Sequence, residues 1–326
     1  MRLPLHALTR LLAKLALLFF IFSPGGQAEQ DEAQAYQGRF DTAWRLVAER
    51  YWDLDVAGVD WQEVRVRYEP RLAGVDADGD FYALLSEMYE ELGDNHSVFV
   101  PPERVDTIRQ DYGDLPCVGV FAATTLSDAV LADNLTDSGN VGYRLLEDGV
   151  GYLRLPDLVV TGAAQHLRTA VRRLAAERAK GLILDLRGNP GGRLLEMMQA
   201  AGIFTRGFLW RVVTRWTLPV PYPALGSVET DLPLVVLIDA QVNSAAEGLA
   251  GALQTSGRAT MIGETTAGNV EAVLPFCLRD GSQAWIATGV LAPLLGATWE
   301  GRGVIPDIEA GGEAALEAAV RFFDGR

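Results

Sequence analysis

Apolar residues fall at helical spacing in the first third of the chain. Phe40, Trp44, Val47 and Tyr51 form one stripe, and Phe81, Leu84, Leu85, Met88 and Leu92 form another, each with charged positions opposite. This spacing predicts amphipathic helices between about residues 40 and 92. Turn formers at 74–80 separate the two stripes, and Pro101 with Pro102 forbid the helical run from continuing. Residues 103–150 mix turn formers with short strand-like pieces such as 117–122. From Gly151 the period changes. Residues 151–155 alternate like a strand, 163–180 have the period of an amphipathic helix, and 181–186 form a continuous apolar run that predicts a buried strand. A glycine-rich turn at 187–192 leads to a second helix ending near Phe204. A buried strand at 234–238, a helix near 245–254 and strands near 260–262, 270–278 and 283–288 follow. The expected fold is α/β, a layered core with a mixed sheet, preceded by a small helical N-terminal domain. The expected divisions are 1–28, 29–100 (helical), 101–150 (a short β-rich connection) and 151–326 (the α/β core).

The first 28 residues read as a secretory signal peptide. Arg2, Arg10 and Lys14 precede the apolar run at 15–22, and the small residues Gly26 and Ala28 place the cut after Ala28. The run is too short for an ordinary membrane span, so no integral span is expected after cleavage and the mature chain is expected in the periplasm or outside the cell, an uncleaved anchor being the alternative. Export would expose Cys117 and Cys277 to oxidising conditions, where they could pair or remain two buried thiols. Removal of the three basic residues takes the formal charge from −15 to −18. That sign argues against a nucleic-acid partner, whose phosphates demand cations. With 49% apolar and 22% charged residues in 326, a large buried core is expected. No zinc or iron motif is present, and neither a metal nor any other cofactor is expected.

Two loops run from a predicted strand into a predicted helix, where a rigid sheet holds the loop and free amides face outward. In residues 185–192 the glycines permit close approach of backbone to a ligand and can aim amides at developing negative charge. In residues 239–247, Ser244 and Glu247 have the spacing of a capping box, a structural device. The same place also suits a nucleophile, with the Ala245 amide and the helix dipole beside a tetrahedral oxyanion. Such a serine needs a proton acceptor, and the chain offers few. Lys180 ends a helix at the far edge of the predicted strand, and His166 lies on a charged helical face. His96 remains.

At these residues the sequence resembles the tail-specific, or C-terminal processing, serine peptidases and their tricorn-type relatives. The resemblance is carried by 92–97 (LGDNHS), 184–192 (LDLRGNPGG), 243–247 (NSAAE) with 250–254 (AGALQ), 263–268 (GETTAG) and 301–308 (GRGVIPDI), in the family's order. In the bacterial processing branch a lysine after the Gly-Glu-Thr motif serves as base; Asn269 stands at the matching position here. The tricorn-type branch resembles a Ser, His, Glu arrangement, and the matching positions are Ser244, His96 and Glu300. Glu264, Glu271 and Asp94 are carboxylates that could take the place of Glu300. The resemblance implies a crotonase-like or ClpP-like core and a serine endopeptidase acting on peptide or unfolded protein, with Gly191, Gly192 and Ala245 around the oxyanion. The family's PDZ module needs nearly twice the fifty residues of 101–150, so a full PDZ domain is not expected. Two other readings stay open: a non-catalytic binding protein on this scaffold, retinoid-binding or peptide-binding, and a crotonase-like acyl-thioester enzyme. Oligomeric state is not readable from the sequence.

Overall fold

The computed structural model describes residues 24–94, 96–112, 141–215 and 217–324, with side-chain detail from residue 35 onward. The chain enters through α1 (Pro24–Arg50), α2 (Leu54–Ala57), α3 (Trp61–Tyr68) and α4 (Asp78–Glu90). The anticipated stripes pack together: Phe40, Ala43 and Val47 of α1 meet Phe81, Leu84, Leu85 and Met88 of α4, with Trp61 and Val64 of α3 closing the cluster. Asp60 caps α3 by accepting the amides of Gln62 and Glu63. Trp44 and Trp61 each donate an indole N–H to the other's carbonyl, both at 2.9 Å. A short strand, β1 (Val98–Val100), then leads into α5 (Pro102–Tyr112).

That helix departs from the expected β-rich connection. Pro102 opens a helix rather than only ending one, because its fixed φ and missing N–H are tolerated in a first turn. The strand-like piece 117–122, Cys117 and the rest of 113–140 lie outside the described residues, as do residues 1–23 with the apolar run of the expected signal peptide. Among the described residues no helix is long and apolar enough to cross a membrane.

The remainder builds the α/β core. One sheet has the order β11 (Ile308–Glu309), β8 (Ala259–Gly263), β7 (Leu234–Ile238), β4 (Gly181–Asp185), β3 (Val150–Arg154), β2 (Gly142–Leu145). All neighbours are parallel except the β2–β3 pair. Period-two alternation sends Leu182, Leu184, Val236 and Ile238 to one face, against α6 (Ala163–Ala176), α7 (Leu194–Phe204) and α8 (Ala245–Thr255). Val150, Ile183, Val235 and Leu237 face the other way, against Ala315, Ala319 and Phe323 of α9 (Gly312–Asp324). Both faces being covered explains why β4 and β7 read as unbroken apolar runs.

A second, antiparallel sheet has the order β1, β10 (Gln283–Pro293), β5 (Phe208–Val213), β6 (Val220–Pro223), with β9 (Glu271–Cys277) also paired to β10. Strands β1, β5 and β6 and helices α5 and α9 were not expected from the pattern. Each strand is short, and β6 carries two prolines, which an edge position tolerates. β10 also runs on to Pro293, beyond the expected 283–288, and thereby joins the helical front to the core: its first half pairs with β1 and its last residues with β5.

Candidate active site

Ser244 ends the loop that leaves β7 and is the N-cap of α8. Its backbone stands at φ 55 and ψ −121, a region that costs of order 1–3 kcal/mol for a residue with a Cβ. Local bonds hold it there. The Ser244 amide donates to Asn269 O at 2.9 Å and to Glu247 Oε2 at 3.0 Å. Glu247, fully buried, also accepts the Gly268 amide at 2.6 Å, the Asn269 amide at 2.9 Å and the Thr266 hydroxyl at 2.6 Å. Its burial pushes the carboxyl's pKa up, while these four donors pull it back. The two arms of the capping box therefore face each other, but only the carboxylate arm closes in hydrogen-bond geometry. Among the described residues the buried Ser244 Oγ has no hydrogen-bond partner.

The glycine-rich turn lies directly against this serine. A Cβ on Gly191 would stand 2.8 Å from Asn243 O and Ser244 Cβ and 2.9 Å from Ala245 N; with φ at +95, only glycine fits. Asn189 fastens the turn. Its Nδ2 donates to Leu155 O, its Oδ1 accepts the Gly191 amide, and its carbonyl accepts the Asn243 amide, at 2.9, 2.9 and 3.0 Å. This corrects one expectation: the Gly191 N–H is taken by Asn189, so Gly191 supplies room rather than a donor. Gly192 is bridged in parallel to Leu158. Ala245 N is the first amide of α8 and lies beside Gly191, where a helix leaves its amides without intrahelical acceptors.

His96 arrives from the front part of the molecule. Asp94 Oδ1 accepts the amides of His96 at 2.8 Å and Ser97 at 2.5 Å, a local turn that fixes the backbone before β1. The imidazole is buried, and its Nδ1 lies 2.9 Å from Glu271 Oε2, also buried. Glu271 opens β9, two residues beyond Asn269, whose carbonyl takes the Ser244 amide. Burial raises the Glu271 pKa, and His96 draws it down. Glu300, the position implied by the resemblance, does not meet the imidazole. Its Oε2 accepts the Val270 amide at 2.8 Å. Burial, and then the nearby Glu271 charge, push its pKa up to about 7. Tyr51 faces the same acids, and burial together with Asp94 and Glu271 pushes its hydroxyl pKa up.

Other motif residues build the scaffold. Asp185 accepts two bonds from the Arg187 guanidinium, at 2.9 and 2.6 Å, and one from the Tyr152 hydroxyl at 2.6 Å, while Arg187 reaches Gly312 O. Asp307 Oδ2 accepts the Met261 amide, and Gly301 N donates to Gly268 O at 2.7 Å. Gly251 leaves room for the Trp299 indole. Lys180 pairs with Asp324 at the opposite end of β4, and His166 is exposed. Among the described residues no cluster of His, Cys, Asp or Glu could hold a metal ion. Sequence reading placed Glu247 in a capping box but missed its bonds to residues 266–269, and it missed Asn189 and Asp94 as fasteners. An Asp two residues before His96 and an Asn two before Gly191 are the signals that could have found two of them.

The peptidase family S41 domain matches residues 149–310, and the tricorn protease C1 domain matches residues 32–90. The chain belongs to peptidase family S41. Among similar proteins, a carboxyl-terminal-processing protease of Synechocystis is 39% identical over 134 residues, covering 41% of this chain and 31% of the relative. A putative tricorn protease homolog of Streptomyces coelicolor is 25% identical over 378 residues, covering 86% of this chain and 31% of that protein. The aligned parts thus span about a third of these relatives' own lengths. The solved structure of a photosystem II D1 C-terminal processing protease superposes with TM-score 0.65 at 23% identity, covering 88% of this chain and 96% of the other, a likeness of fold. The S41 match spans both loops at Ser244, and the C1 match stops six residues before His96.

Proposed function

We propose that this S41 chain is a serine endopeptidase acting on peptides or unfolded protein, with Ser244 as nucleophile, His96 as general base and Glu271 as the carboxylate that orients the imidazole. The observation that carries this reading is the buried His96–Glu271 pair at 2.9 Å, two residues along the backbone from the carbonyl that takes the Ser244 amide. A carboxylate on Nδ1 holds the proton there and leaves Nε2 as the basic nitrogen. His96 then removes the hydroxyl proton as Oγ attacks the peptide carbonyl, and returns it to the leaving amine. The developing oxyanion falls to the Ala245 amide and the start of α8, a donor contributing about 3 kcal/mol in comparable sites. Glu300 fits the role of a neighbouring carboxyl that stays neutral below about pH 7 and adds negative charge to the pocket only above it.

Burial of Ser244 Oγ without a competing hydrogen bond supports a nucleophile rather than a helix cap. Asn269 cannot act as a base, so the serine-lysine alternative has no candidate here. The proposed setting is the periplasm or the exterior. In its support, Cys277 is disulfide-bonded, as oxidising compartments permit; Cys117, the other cysteine, lies outside the described residues. The test is cleavage of an unfolded protein by the full chain and by Ser244→Ala and His96→Ala. Loss of activity by at least about 10³-fold in both, with unchanged thermal unfolding, is expected; cleavage at the parent rate by either variant would overturn the assignment.

A further inference from the structure

Strand β1 is an edge of its sheet, and its register says which way its polar groups point. Val98, Phe99 and Val100 stand opposite Trp285, Ala284 and Gln283 of β10. On the other side of β10, Ala284 stands opposite Phe276 and Trp285 opposite Pro275. The hairpin joining β9 to β10 closes with the Leu278 amide on Ser282 O at 2.9 Å. Bonded pairs alternate along an antiparallel ladder, so Phe276 and Ala284 exchange bonds while the Pro275 pair, which lacks an N–H, does not. Gln283 and Trp285 therefore aim their polar groups at Val100 and Val98. Phe99 turns its N–H and C=O away from the sheet.

Among the described residues neither group of Phe99 has a hydrogen-bond partner beyond the sheet, although Phe99 is only 5% exposed. Native proteins seldom leave such groups unpaired in a covered position. Beside them runs a groove of about 270 Å³, walled by Ser86, Tyr89 and Glu90 of α4, floored by β1 and closed by Arg104 of α5. We propose that this groove binds an extended segment of the polypeptide substrate, which adds to β1 as a further strand by bonding the N–H and C=O of Phe99. Main-chain pairing of this kind accepts many sequences, as a peptidase of unfolded protein requires. β1 begins two residues after His96, so a strand laid there starts close along the chain to the proposed general base. The inference rests on the peptidase reading.

The test uses the full chain carrying Ser244→Ala, so that substrate stays intact, and follows amide hydrogen exchange at Phe99 as an extended peptide from an unfolded protein is added. Exchange at Phe99 slowed at least about tenfold, with Val98 and Val100 unchanged, is the expected result. Unchanged exchange, or full protection before any peptide is added, as occupation by residues 113–140 would give, overturns the proposal. A second variant, Ser86→Trp in the active chain, fills the groove. It should raise KM for unfolded protein about tenfold while leaving kcat and labelling of Ser244 by a small fluorophosphonate unchanged; an unchanged KM overturns the proposal. Failure of fluorophosphonate to label Ser244 in the parent would instead overturn the catalytic reading and leave the exchange result to decide the groove.

Discussion

Ser244 stands at the carboxyl end of β7, in a parallel sheet buried on both faces. His96 stands in a loop before the edge strand of an antiparallel sheet, held by an Asp turn and one carboxylate. The serine side is over-determined: strain at φ 55 is met by Glu247, Asn269 and the packed glycine turn. The histidine side has fewer ties and reaches its partner only because β10 brings β1 and β9 to one place. The proposed nucleophile is thus set by the core fold, whereas the proposed base is set by side-chain contacts. Substitutions on the two sides should fail in different ways.

The sharpest contrast comes from Glu271→Gln, which keeps the shape but removes the charge and lets the imidazole turn or adopt the wrong tautomer. A loss of about 10³-fold in kcat with little change in thermal unfolding is expected. Gly191→Ala attacks the serine side by crowding Asn243 O and Ser244 Cβ; kcat should fall about 10²-fold, and the melting temperature should fall as well, since the clash is with backbone. Glu300→Gln should cost less than about tenfold in kcat, because its carboxylate bonds Val270 rather than the imidazole. Its signature is in the pH dependence. A carboxyl raised to about 7 is neutral below that pH and a buried charge above it, so folding stability falls as pH rises from the ordinary carboxylate range through 7. The variant should therefore melt higher than the parent at pH 8, with the gap closing by pH 5. Last, Asp185→Ala should lower stability by about 3 kcal/mol through loss of the Arg187 and Tyr152 bonds, yet change kcat of the folded fraction by less than about threefold.

The core was legible in the sequence because both-face burial writes itself as the apolar runs at 181–186 and 234–238, and loops at sheet ends collect the short motifs. The helical stripes around Phe40 and Phe81 were equally plain. What escaped were elements whose identity depends on partners: β1, three residues long, exists because β10 runs beside it, and β5 and β6 have no alternation of their own. The site divided in the same way. Ser244 and His96 stood out by residue type and position, while the choice between Glu271 and Glu300 depends on which carboxylate the sheet carries to the imidazole, and spacing along the chain has no bearing on that. Asn189 looked like one residue of a glycine turn, and only its three bonds reveal a fastener that takes the Gly191 amide.

The most direct measurement is the rate at which a fluorophosphonate labels Ser244 in the parent, in His96→Ala and in Glu271→Gln. The account predicts labelling of the parent, a drop of at least about 10³-fold with His96→Ala and of about 10²-fold or more with Glu271→Gln. Parent-like labelling of both variants would contradict the claim that a glutamate-held histidine activates this serine.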